Sequence, residues 1–272
     1  MPVVRLSGVI GAASPLRPGL TLAGTAGSLE RAFTMRGADA VAIAINSPGG
    51  SPVQSTLIFK RIRALAAEHE LPVYVFAEDV AASGGYMLAC AGDEIYADES
   101  SVVGSIGVIS AGFGFSNAID KLGIERRVYT AGKNKMILDP FQPEKAADVE
   151  RLKTLQRDVH DAFKALVSDR RGDKLSGDED EIYSGAFWAG VKAREMGLID
   201  GLGDMRSVMR EKLGEDVQLK VVQQQRSWLK RRLGADTLLD LFAQRQGDVG
   251  SSLAGDALAA IEERAIWQRY GL

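Results

Sequence analysis

Ser83 lies in Ala81-Ala82-Ser83-Gly84-Gly85, so its neighbours on the C-terminal side carry no side chains. Glycines there let a second backbone come close, and a helix beginning at Gly84 would turn its unpaired N–H groups and positive end toward an oxyanion formed at the serine. The same residues also make an ordinary turn with Ser83 as N-cap. A serine nucleophile needs a base, and the chain has 2 histidines. His69 ends a predicted helix and His160 falls inside another. Both read as surface or capping residues, and neither has the loop or strand-end setting that presents an imidazole to a serine. Lysine replaces histidine where burial favours the neutral amine. Lys133 and Lys135, in Gly132-Lys133-Asn134-Lys135-Met136-Ile137-Leu138, stand beside apolar residues and are the candidates. Each, taken singly, also reads as a surface charge.

Other chemistries find little support. No His/Asp/Glu set has metal-ligand spacing, and the acidic run Asp178-Glu179-Asp180-Glu181 lacks the glycine of a calcium loop. No Walker-type Gly-Lys-Ser/Thr occurs, and Gly112-Phe113-Gly114 lacks the third glycine of a dinucleotide fingerprint. The expectation is therefore an enzyme without metal or cofactor. The 33 basic and 36 acidic residues leave a net charge of −3, which gives no electrostatic reason to bind nucleic acid. Lys230-Arg231-Arg232 is the one short basic run, read as a solvated helix face with room for peripheral contact to lipid head groups. The single cysteine, Cys90, reads as a buried thiol and rules out an internal disulfide. No run approaches the ~18 uninterrupted apolar residues of a membrane span, and Met1 to Ile10 is not a signal peptide. As given, the chain is expected to be soluble, cytoplasmic or membrane-peripheral, and extracytoplasmic only if an N-terminal anchor was trimmed from it.

The elements that would position Ser83 follow from periodicity. Val41 to Ile45 is a nearly continuous apolar run ending in Asn46-Ser47-Pro48-Gly49-Gly50, a buried strand running into a tight turn. Pro52 to Glu70 carries apolar residues at a 3.6-residue period and predicts a helix. Val73 to Phe76 predicts the next strand, and Tyr86 to Ala91 a second turn-to-helix junction. Strands are also expected at Val3 to Ile10, Glu94 to Tyr96, Val102 to Ile109, Arg126 to Tyr129 and Val217 to Val222. Helices are expected at Ser116 to Leu122, Pro143 to Arg171, Gly185 to Gly197 and Asp204 to Leu213, with two weaker stretches at Trp228 to Gln244 and Leu253 to Tyr270. Strands alternating with helices predict an α/β class.

Several segments in order, Ile45 to Gly50, Val80 to Tyr86, Gly104-Ser105-Ile106-Gly107-Val108, Gly132 to Lys135 with Pro140-Phe141, Gly185 to Gly190 and Gly197 to Gly203, closely resemble the signal peptide peptidase A family of Ser-Lys serine peptidases. The resemblance covers about Val3 to Val222. It implies a ClpP/crotonase-like fold of repeated ββα units, with residues 1–222 as peptidase domain. The resemblance leaves residues 223–272 unexplained; their looser pattern reads as a partly helical C-terminal extension that packs on a partner subunit or stays mobile. Matched by position, Ser83 resembles the family's nucleophile and Lys135, rather than Lys133, its general base. Ser105 resembles the serine that orients the lysine. The resemblance implies an oxyanion hole from the backbone N–H groups of Gly50 and Gly84, with Gly49 as the alternative to Gly50. It further implies a peptide or protein substrate, such as signal-peptide remnants or other extended apolar segments, and a homo-oligomeric ring or bowl whose neighbouring subunits help line the site. Three other readings stay open: an acyl-CoA enzyme of the same fold using Asp79 or Glu94, a phage-type capsid or scaffold protease with the same dyad, and a non-catalytic scaffold.

Overall fold

The computed structural model describes residues 1–11, 19–222, 261 and 264–272. The continuous apolar run at Val41 becomes the centre of a sheet. Strand β2 (Val41–Ser47) has every residue buried except Asn46. Parallel partners flank it: β1 (Pro2–Ser7) on one side and β3 (Val73–Ala82) on the other. Full burial on both faces is what an apolar run without alternation encodes.

The remaining strands are β4 (Glu94–Ala97), β5 (Val102–Gly104), β6 (Phe187–Ala189), β7 (Gly201–Leu202) and β8 (Lys220–Val221). The sheet runs β6-β5-β3-β2-β1-β8, and β4 branches from β3 to reach β7. The branch is possible because β3 is 10 residues long. Its first half, Tyr74 to Ala77, pairs with β4 and its last three residues, Val80 to Ala82, pair with β5. All pairings are parallel except β5 with β6, so β2, β3 and β5 end at the same edge. In open parallel sheets that edge is where ligands bind.

Helices cover the sheet: α1 (Leu22–Phe33), α2 (Pro52–His69), α3 (Gly84–Ala89), α4 (Ser116–Lys121), α5 (Ala146–Arg171), α6 (Glu179–Ile182), α7 (Gly190–Glu195) and α8 (Met205–Leu213). Helix α2 is capped by the Ser51 hydroxyl and carries Pro52 in its first turn, where a missing N–H costs nothing. It buries Ile58, Ile62 and Leu65, each worth ~1.5–3 kcal/mol of transfer free energy. Helix α1 was not expected from sequence, because Gly24 and Gly27 within it are poor helix formers. Its Thr21 cap, the Gln54 side chain accepting from Leu22 N–H, and the burial of Leu29 and Phe33 hold it.

Four expectations are corrected. Arg126 to Tyr129 forms no strand; it is exposed and pairs with no edge, and β-branched residues do not make a strand without a partner. The strand from Val102 stops at Gly104, because Gly104 and Ser105 take φ of +112° and +55°. The segment from Gly185 is strand β6 before helix α7, with Trp188 lying over Gly104 so closely that a Cβ there would meet its ring at 2.8 Å. The extended strand expected from Val217 is reduced to two paired residues. The Trp228 to Gln244 helix and the Lys230 to Arg232 run lie outside the described residues, as does most of the Leu253 to Tyr270 stretch, of which 264–268 is helical.

Helix α3 is anchored from behind by a buried charge. Arg171, 2% exposed at its side chain, bonds Asp200 at 2.7 Å, and Lys174 bonds the other carboxylate oxygen at 2.7 Å. Asp200 also accepts from Ile95 N–H at 2.7 Å, Arg171 donates twice to Gly197 O, and the Tyr86 hydroxyl of α3 donates to Leu198 O at 2.8 Å. Burial alone would raise the Asp200 carboxyl; the bonds from Arg171 and Lys174 outweigh it and leave the group below the usual aspartate value. A depressed carboxyl contributes stability above its unfolded value, and that contribution is lost as pH falls through the folded value. Asp200→Asn strands the Arg171 charge and is expected to cost on the order of 3 kcal/mol at pH 7. In urea titrations the gap between wild type and variant should narrow below about pH 4; a gap that stays constant with pH would contradict the assignment.

Candidate active site

Ser83 occupies the single residue between β3 and α3. Its φ of 53° and ψ of −122° lie in a region that residues with side chains rarely adopt. Two backbone bonds hold it there: Ser83 N–H donates to Gly104 O at 2.8 Å, and Met87 N–H donates to Ser83 O at 3.0 Å. The consequence is a sharp turn that lifts the hydroxyl out of the sheet edge. Ser83 is half-buried and its hydroxyl makes no capping bond to α3, which removes the N-cap reading.

The glycine turn after β2 meets this serine from the side. A Cβ built on Gly49 would stand 2.8 Å from both Ser83 Cβ and Gly84 N, and one built on Gly84 would stand 3.4 Å from Gly50 N. The two amides therefore share one small space beside Ser83. Which turn glycine donates into it is decided by hydrogen bonds. Gly49 N–H is taken by the Ser47 hydroxyl at 3.2 Å, whose own proton goes to Gly8 O at 2.7 Å. Gly49 O accepts from Ile10 N–H at 2.8 Å, and Ser51 N–H closes a second bond to Ile10 O at 2.8 Å. In a trans peptide the C=O and N–H point in opposite directions. Anchoring Gly49 O on Ile10 thus turns the Gly50 N–H to the opposite side of its peptide plane, where no hydrogen-bond partner among the described residues claims it. Among the described residues Gly50, not Gly49, is therefore the free donor, and Gly84 N–H, at the first residue of α3, has no partner there either. Two free N–H groups beside a serine are what an oxyanion requires.

Just before this turn the pairing of β2 with β3 shifts register between Ile45 and Ser47, a local bend in the ladder. Asn46 spans the bend: its amide donates to Asp79 at 2.6 Å and its carbonyl accepts from Val80 N–H at 3.3 Å. Asp79 is thereby engaged, and Glu94 is bound by Lys212 at 2.9 Å and by the Tyr96 hydroxyl. Both carboxylates of the acyl-CoA alternative thus already have hydrogen-bond partners.

Ser105 follows Gly104, the residue whose carbonyl holds Ser83. It is 4% exposed, and its hydroxyl accepts a hydrogen bond from the Tyr270 hydroxyl at 3.2 Å. Lys135 is elsewhere. It lies in a turn of an exposed arm, residues 108–145, and no hydrogen bond or ion pair joins it to Ser83 or Ser105. No residue of α4 in that arm is buried, and Ile109, Phe113, Leu122 and Tyr129 are 65%, 73%, 73% and 91% exposed. Lys133 shares the arm. His160 bonds Ile106 O at 3.0 Å, and no hydrogen bond joins either histidine to Ser83.

The structure thus brings together Ser83, Gly50, Gly84 and Ser105, and leaves Lys135 apart. Sequence reasoning assigned no role to Ser47, Ile10 or Tyr270. Ser47 stood inside a quoted motif; Ile10 and Tyr270 carried no signal, since their contacts are made across 39 and more residues of chain.

The sequence profile of peptidase family S49 matches residues 66–220, a span containing Ser83, Ser105 and Lys135. Two proteins named Na(+)/H(+) antiporter NhaA, from Brucella abortus and Brucella melitensis, are 57% identical over 273 residues, covering 100% of this chain and 37% of each of theirs. The chain therefore spans little more than a third of those relatives. The chloroplastic serine protease SPPA of Arabidopsis thaliana is 34% identical over 170 residues, 61% of this chain and 24% of its own. Among solved structures, a mutant of the 1510-N membrane-bound stomatin-specific protease superposes with a TM-score of 0.50 at 15% identity, covering 82% of this chain and 97% of that one. At that identity the likeness speaks for the fold alone, which is ClpP/crotonase-like.

Ser47→Ala leaves the buried Gly49 N–H without its partner, a cost of about 1–3 kcal/mol, and frees a turn of two glycines to rotate. Labelling of Ser83 by a serine-directed fluorophosphonate should slow by at least about tenfold, the loss expected when a donor to the oxyanion is displaced. Unchanged labelling would show that Ile10 alone holds the turn.

Proposed function

The chain belongs to peptidase family S49, and from that premise we propose that it is a serine endopeptidase whose Ser83 and Lys135 form a catalytic dyad acting on extended, apolar-rich peptides such as signal-peptide remnants. The observation that carries the reading is the pair of free amides, Gly50 N–H and Gly84 N–H, held beside a strained serine.

In the proposed reaction the neutral Lys135 amine takes the Ser83 proton as Oγ bonds to the scissile carbonyl carbon. The carbonyl oxygen becomes an oxyanion and is met by the Gly50 and Gly84 amides. Collapse of the tetrahedral species breaks the C–N bond, and the Lys135 ammonium gives its proton to the departing amine. The same amine then takes a proton from water, which attacks the Ser83 ester, and Ser83 is regenerated on release of the carboxylate. Ser105 receives a hydrogen bond from the lysine and fixes its approach.

A lysine serves as a base only where burial favours its neutral form, and Lys135 is exposed in the single chain. We therefore place it in a homo-oligomer, with the arm of one copy lying over the sheet edge of the next. The exposed apolar residues of the arm, together with the aromatic group Phe113, Phe115 and Phe141, support this placement. The likeness of this chain to 37% of two proteins named as antiporters supports work at a membrane surface, although no described helix is long and apolar enough to cross a membrane.

Wild type should cleave members of a fluorogenic peptide panel, while Ser83→Ala and Lys135→Ala, with unchanged circular dichroism, lose about 10⁴-fold or more in turnover. Cleavage by Ser83→Ala at the wild-type rate would overturn the assignment.

A further inference from the structure

Tyr270 belongs to the end of the chain, 187 residues beyond Ser83, yet it is 8% exposed and packed at the catalytic edge. Its ring lies against Val80 and Ala82 of β3, with Val102 of β5 and Trp267 alongside. It also meets the Phe187 ring edge-on at 5.1 Å. Ala82 immediately precedes the nucleophile. The Tyr270 hydroxyl stands 3.2 Å from Ser105 Oγ and 3.5 Å from Pro48 O. Pro48 opens the glycine turn of the oxyanion hole, so this one side chain touches both walls of the site. A helical turn at 264–268 and backbone bonds from Tyr270 N–H, Gly271 N–H and Leu272 N–H brace it.

We propose that residues 264–272 are a tethered occupant of the peptidase site. Tyr270 sits where the base must arrive, and the segment has to leave before the dyad can form. The inference rests on the Ser83–Lys135 reading. Its physical core is competition for one acceptor. The lysine orients itself by donating to Ser105, and in this state a phenol donates to that oxygen instead. The ring simultaneously fills the apolar slot beside Ala82 that an extended substrate would pass. A substrate or a neighbouring copy's arm must displace the segment, so the enzyme is restrained until one of them competes.

The test compares three full-fold proteins: the whole chain, the chain lacking residues 264–272, and Tyr270→Phe. Each is assayed for peptide cleavage with folding checked by circular dichroism. Loss of the hydroxyl alone should raise kcat/KM by about two- to tenfold, the worth of one hydrogen bond. Loss of the segment should raise it further. A synthetic nonapeptide matching residues 264–272, added to the shortened chain, should bind and restore inhibition, and should do so less well when its tyrosine is alanine. Equal or lower activity in the shortened, folded chain would overturn the proposal, as would failure of the nonapeptide to inhibit. Failure of the peptidase reading has a different signature: a shortened Ser83→Ala chain would then cleave as fast as the shortened chain with Ser83 intact.

Discussion

Position 49 has no room for a side chain, because any Cβ there would enter the space shared by Ser83 and the Gly84 amide. That approach is the constraint on which the site depends. It exists because β2 and β3 run parallel, end together, and shift register just before the turn. The Ile10 bonds then convert closeness into direction: with Gly49 O held, the Gly50 N–H faces away from Ile10, so the proposed oxyanion donors are in place without a ligand. Donors fixed in advance need no reorganisation as charge develops, which is the main source of their effect on rate.

The strain at Ser83 belongs to the same arrangement. A residue at φ 53° costs of order 1–3 kcal/mol and persists only where its surroundings over-determine it. Here Gly104 O fixes its N–H from β5, and the Tyr86–Leu198 and Arg171–Asp200 bonds fix the helix behind it. The buried charge is thus tied to the geometry of Ser83 through α3.

Much of this could be read from sequence where local pattern and tertiary structure agree. The apolar run at Val41, the period in Pro52 to Glu70 and the serine between glycines each encode their own element. The failures share a cause in contacts that local pattern does not report. Helix α1 contains two glycines and is held by burial against α2. Arg126 to Tyr129 has strand-like residues but no sheet edge to join. The choice between Gly49 and Gly50 depended on Ile10 and Ser47, whose bonds cross the sheet. The position of Tyr270 beside Ser105 was invisible because nothing near it in the chain relates to Ser83.

On the proposed reading, the serine and the oxyanion donors stand at the sheet edge while the lysine is carried on an exposed, apolar arm, so the two parts of the chemistry would meet when copies pack. A single chain is then expected to be inactive and an assembly active. The most direct measurement is peptide cleavage by a mixture of Ser83→Ala and Lys135→Ala chains, each inactive alone. If one copy supplies the serine and its neighbour the lysine, mixing and reassembly will restore a substantial fraction of wild-type turnover. If mixed assemblies form, as judged by co-purification of differently tagged chains, and remain as inactive as the separate variants, the account of a site completed between copies is wrong.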